Sequence, residues 1–229
     1  MKSRGCSILV ALFCAALAQA TILPPGGSPP VAPSAFGTAV TGPFLADTGI
    51  QDFTAVNAQG QTTISGEYRA MVYSDAANDF CAGCLDFFVV VESSTASLDA
   101  IERITLAAFG SFLTNVGYSI GPGTPPAGVA PSTVDRSANG DVIGFNFTAP
   151  VGVAPGQQTD VLEIETNATR FMAGTLQISD GSVATVAAFE PCGMVPEASS
   201  VSMTLLGGIL LGVGLMGRRR RQASSKISA

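Results

Sequence analysis

Glu163 and Glu165 stand two residues apart in "TDVLEIETNA", with Asp160 just ahead of them. Side chains at that spacing share one face of a strand. A glycoside hydrolase needs a carboxylate pair about 5–9 Å apart across the bond it cuts, and neighbours on one strand face can meet that distance. A solvated strand face gives the same alternation, with Leu162 and Ile164 turned inward, and that is the expectation adopted. A second group of oxygen donors, Asp75, Asn78 and Asp79, lies in "SDAANDF" and could ligate calcium. No EF-hand glycine or terminal glutamate follows, so these residues read as turn formers. No catalytic residue, metal ligand or cofactor is assigned.

Sulfur is the other reactive element. Cys81 and Cys84 are three apart in "NDFCAGCLDFF", and Cys192 follows in "EPCGMVPE". In a straight strand, Cα atoms three apart are about 10 Å from each other, too far for a disulfide. A Cys81–Cys84 bond therefore requires a turn at Ala82-Gly83. The alternative joins one of the pair to Cys192 and staples the last segment to the strand at Leu85. A redox centre would need a helix after the motif to lower a thiol pKa, and "LDFFVVV" is a strand former. The chain contains no histidine, which excludes Ser-His and Cys-His nucleophiles and imidazole zinc sites. It also lacks tryptophan, so Tyr68, Tyr73 and Tyr118 are the residues left to stack on a sugar.

The elements that must position these groups read as strands. "TTISGEYRAMVYS", "CLDFFVVVES" and "DVIGFNFTA" carry β-branched and aromatic residues, and Gly144 in the last suggests a bulge. "GTLQISDGSVATVAAFE" reads as two strands joined by a turn at Ser179-Asp180-Gly181-Ser182. "SLDAIERITLAAFGSF" has a helix cap at Ser97, although "RITLAAF" suits a strand equally. Short strands with turn signals between them predict an all-β fold, an antiparallel, jelly-roll-like β-sandwich over 44–192. The stretch 21–43 is a Pro/Gly-rich leader whose first half is expected to be extended and exposed, more a leader than a packed element.

Charge narrows the partners. Between Thr21 and Val195, sixteen acids face four arginines (Arg69, Arg103, Arg136 and Arg170), a balance of −12 with no lysine. Such a surface repels nucleic acid and suits an exported protein kept apart by self-repulsion.

Both ends read as addresses. Residues 1–20 have a basic start, a short apolar run and a small-residue cleavage site at Ala18-Gln19-Ala20, the parts of a signal peptide. In the tail 193–229, Val201–Gly217 is uncharged and long enough to span a bilayer. Arg218, Arg219, Arg220 and Arg221 then stop transfer and stay inside.

The order Val195-Pro196-Glu197-Ala198, polar spacer, Gly/Leu-rich span and arginine cluster resembles the PEP-CTERM sorting domain of exported bacterial proteins, with Ala198 where that family usually has proline. The segment Cys84–Phe112 is similar to one common in proteins bearing that tail, a group whose activity is unassigned. The resemblance implies recognition by an exosortase-type processing enzyme and membrane anchorage through the C-terminal helix before processing. It also implies delivery to the cell envelope, outer surface or extracellular matrix. The functional expectation is a non-catalytic surface or matrix protein. Its rivals are an exopolysaccharide-binding module and a secreted glycoside hydrolase.

Overall fold

Leu85, Phe87, Val89 and Val91 alternate along one strand with Asp86, Phe88, Val90 and Glu92, and the first set is buried throughout. Alternation of that kind gives a pleated ribbon one face to place in a core. The computed structural model describes residues 21–24, 28–36, 40–119, 128–147 and 152–193, and builds two sheets from such runs.

The strands are β1 (Thr21–Leu23), β2 (Ser28–Val31), β3 (Ser34–Ala35), β4 (Phe44–Asp47), β5 (Gln51–Val56), β6 (Thr62–Asp75) and β7 (Cys84–Ser93). They continue with β8 (Arg103–Leu106), β9 (Thr114–Ser119), β10 (Thr133–Arg136), β11 (Ile143–Asn146), β12 (Val161–Thr166), β13 (Phe171–Ser179) and β14 (Val183–Pro191). The first sheet has the order β1-β9-β12-β7-β6-β4, with β3 on β9 and β5 on β6. The second runs β14-β13-β8-β11-β10-β2. Strand pairings are antiparallel except for β3 with β9. There is no helix among the described residues.

The two sheets share one apolar cluster. Ile64, Val72, Leu85, Phe87 and Val89 enter it from the first, and Ile104, Ile143, Phe145, Leu176 and Ile178 from the second. Phe87 meets Phe109 edge to face at 5.6 Å. Each such side chain contributes about 1.5–3 kcal/mol through burial. The all-β, two-sheet expectation therefore holds, and so does the hairpin: Ser179 pairs with Val183 around Gly181 at φ +113°.

Three local expectations change. The described residues of 21–43 are extended, but they are not an exposed leader. Strand β1 pairs with β9, β2 pairs with β10, and Leu23 is 1% exposed. Prolines 29 and 30 are compatible with β2 because that strand ends its sheet and its register with β10 shifts between Ser28 and Val31, so neither proline is paired in the ladder. Gly144 marks no bulge: it pairs in register with both Asp135 and Thr105. A Cβ there would stand 2.2 Å from the Arg103 guanidinium, so the glycine makes room for that side chain. Ser97 caps no helix. Its hydroxyl accepts from Ser65 N–H at 3.0 Å and donates to Ser65 O at 2.8 Å, and "RITL" is β8.

The signal-cleavage residues Ala18 and Ala20, the sorting residues Val195, Pro196, Glu197 and Ala198, the span 201–217 and Arg218 to Arg221 lie outside the described residues. Among the described residues no helix is long and apolar enough to cross a membrane.

Candidate acidic site under the outer face

The first sheet has a second face, turned away from the sandwich core, and part of it is covered. Direct register pairs share a face, so Tyr73, Asp86, Glu165 and Asn115 form one row across β6, β7, β12 and β9. Met71, Phe88, Glu163 and Gly117 form the next. Met71, Phe88 and Val161 make a small buried cluster here, with Val40 and Tyr73 against it. Gly117 carries no side chain because the Ser34 carbonyl and the Phe36 ring occupy the space, the ring 2.9 Å from where a Cβ would sit and the carbonyl oxygen closer still.

The cover comes from two distant segments. Residues 76–83 turn back over the sheet, with Gly83 at φ +85° and a disulfide between Cys81 and Cys84, whose Cα atoms are 5.3 Å apart. The turn at Ala82-Gly83 that this bond requires is present, and Cys192 keeps a free thiol. Residues 40–41 form the other flank. Thr41 donates to Asp75 Oδ1 from its N–H at 3.1 Å and its hydroxyl at 2.8 Å.

Beneath this cover Glu163 and Glu165 are 2% and 4% exposed, and Asp86 is fully buried. The expectation of a solvated strand face is thus wrong for the two glutamates. Local alternation identified their shared face, but the cover is supplied from far away in sequence. One carboxylate oxygen from each of Asp86, Glu163 and Glu165 lies within 4.8 Å of the other two. Asn78 Nδ2 donates to Asp86 Oδ1 at 2.6 Å, and Asn115 Nδ2 donates to Glu165 Oε2 at 2.9 Å and to Asp79 Oδ2 at 2.7 Å. Ser119 hydrogen-bonds Glu163, and the Asp75 carboxyl reaches that of Asp86. No partner reaches Asp86 Oδ2, Glu163 Oε2 or Asn115 Oδ1.

Asp75, Asn78 and Asp79 do act as turn formers. Ala77 N–H donates to Asp75 Oδ1 at 3.0 Å and Phe80 N–H to Asn78 Oδ1 at 2.8 Å. They also carry the loop onto the carboxylates.

Burial decides the protonation of the cluster, because an ionised carboxylate without a counter-charge is costly away from water. Desolvation pushes Glu163 up to about 9 against the Ser119 hydrogen bond, with repulsion from Asp86 and Glu165 adding to the rise. It pushes Asp86 up to about 8 against the Asn78 bond, and Glu165 to about 7 against the Asn115 bond. Asp75 goes the other way: burial opposes its ionisation, but donors from Ala77 and Thr41 hold it below the usual carboxylate value.

Three raised carboxyls beside an ionised one can share protons or gather around a cation. They are poorly placed to work on a substrate, having almost no exposed surface. Among the described residues the ion pairs are Arg69–Asp47 and Arg103–Asp135, both elsewhere. Sequence reasoning overlooked Asp86 and Asn115. Asp86 did leave a signal, as the one acid inside the apolar run Leu85–Val91. Of the tyrosines considered for sugar stacking, Tyr68 is buried in the sandwich core and Tyr73 is wedged between Phe44 and Phe88 at 5.2 and 5.5 Å. Comparison with protein-family models, curated proteins and solved structures finds no match for this chain.

Proposed function

We propose that the chain is an exported, non-catalytic surface or extracellular-matrix protein, delivered by a C-terminal exosortase-type signal, with a jelly-roll-like sandwich as its body. The observation that carries the reading is the order of parts in the tail. Val195-Pro196-Glu197-Ala198 precedes an uncharged span and Arg218–Arg221, directly after the last strand of a folded acidic unit. The Cys81–Cys84 disulfide supports an oxidising destination. Burial of Glu163 and Glu165 supports a body without hydrolytic activity, since the pair best spaced for it is closed to a sugar chain.

Intact-mass measurement of the mature protein from its own cells tests the proposal. The expected species begins at Thr21, lacks Arg218–Ala229 and is two hydrogens lighter than the fully reduced chain. Cytosolic protein that retains Arg218–Ala229 would refute it.

One observation favours a second reading, an exopolysaccharide-binding module. A polar groove of about 630 Å³ runs beside β5, β6 and β7, lined by Asp52, Thr54, Glu67, Glu92, Ser94 and Thr95 among others. Carboxylates and hydroxyls of this kind can hydrogen-bond sugar hydroxyls, although the groove has no tyrosine. Selective binding on a glycan array would move the assignment to this reading.

A further inference from the structure

We propose that Asp86, Glu163 and Glu165, with the side-chain carbonyl of Asn115, form a buried calcium site that fastens the cover onto the first sheet. The site does not depend on the sorting tail.

Geometry is the first support. Oxygens bound to one calcium ion at about 2.3–2.6 Å lie no more than about 5 Å from one another. The three carboxylates, from β7 and β12, already offer one oxygen each within 4.8 Å of the others. The second support is a set of orphaned acceptors. Asp86 Oδ2 and Glu163 Oε2 are buried without a donor. So is Asn115 Oδ1, which belongs to a neutral side chain 1% exposed and is therefore no product of acid crowding. Asn115 lies directly opposite Glu165, with its amide nitrogen between Glu165 Oε2 and Asp79 Oδ2.

Ligand chemistry selects the ion. Every donor is a hard oxygen, and neither thiolate nor imidazole is present, which disfavours zinc and copper. Three carboxylates binding through both oxygens, plus Asn115, supply at most seven oxygens, within the six to eight ligands calcium takes. Magnesium keeps several of its waters and rarely enters an all-protein cage, and residues 0–4% exposed leave little room for them. Asp75 adds a further negative charge beside Asp86.

The test uses the full chain, stripped with a chelator and titrated with calcium or magnesium by calorimetry and thermal melting. One calcium ion per chain is expected. At calcium about a hundred times its Kd, Tm should rise by about 5–10 °C, with a much smaller response to magnesium. Glu163→Gln keeps the shape and removes one charge, so it should weaken calcium binding by at least about 100-fold. In chelator this variant should melt higher than the wild type, and in calcium lower. Asp86→Asn should repeat that reversal, and the wild-type stoichiometry stands whether or not either variant folds. Absence of a calcium response in the wild type overturns the site. A response unchanged in Glu163→Gln, or equalled by magnesium, overturns it also.

Discussion

Arg136 donates from all three of its side-chain nitrogens while scarcely touching water. Nε bonds Gly140 O at 2.7 Å, Nη1 bonds Leu23 O at 2.7 Å and Thr114 Oγ1 at 3.1 Å, and Nη2 bonds Phe109 O at 2.6 Å and Phe112 O at 2.9 Å. These five bonds match the five N–H groups of a guanidinium. Burial lowers the pKa of Arg136, opposed by the Asp141 charge. Its partners belong to β1, β9, the stretch before β9 and the β10–β11 turn, so a residue of the second sheet holds backbone of the first. Arg136→Met should cost at least about 3 kcal/mol, because backbone carbonyls buried around it lose a charged donor. In a chain of this size that lowers Tm by about 6–12 °C. Arg136→Lys should recover little, since an ammonium has three donors and no planar fork. Urea melts of the two variants check this; a loss below about 1 kcal/mol would mean that water replaces the guanidinium.

At the scale of elements, the cover decides whether the acidic face is wet or dry. The Cys81–Cys84 bond closes a loop of only four residues, so its effect on the unfolded chain is modest, about 2 kcal/mol. Its local effect should be larger than that figure suggests. Asn78, three residues before Cys81, bonds both Asp86 and Thr166 O, and Gly83 N–H bonds Asp75 O at 2.7 Å. Cys81→Ser should therefore speed amide hydrogen exchange across 76–83 well beyond the change in β7 or β12. Equal acceleration throughout would show that the loop opens only when the whole domain does. The same element shows what the sequence could reveal. The inward set Leu162 and Ile164 was legible from alternation alone, as were the strand at Cys84–Ser93 and the 179–183 turn. Burial of Glu163 and Glu165 was not, because their cover arises from residues 40–41 and 76–83. No local pattern records contacts made across such separations. Asp86 was legible in principle, since an acid in the middle of an apolar strand either faces water or has a designed partner.

For the molecule as a whole, the N-terminal stretch turns from ornament into structure. β1 joins the first sheet and β2 the second, so two strands close in sequence belong to different layers. Leu23 enters the shared core, and its carbonyl accepts from both Thr114 and Arg136. Phe36, further along, is buried over Gly117. Deleting residues 21–36 would remove two buried apolar side chains, each contributing about 1.5–3 kcal/mol, and would leave Arg136 with an unmatched donor, at a cost of about 1–3 kcal/mol. The total, about 4–9 kcal/mol, is comparable with the entire stability of a typical domain, about 5–15 kcal/mol. The deletion variant should lose its cooperative melt, or melt far below the intact chain, when followed by far-ultraviolet circular dichroism. If it melted within a few degrees of the intact protein, β1 to β3 would be a detachable leader after all. If the chain is exported as proposed, with cleavage after Ala20, the first residue of the product, Thr21, belongs to a strand paired with Val116, and a signal peptide would have to be removed or held clear of the β9 edge for that pairing to form.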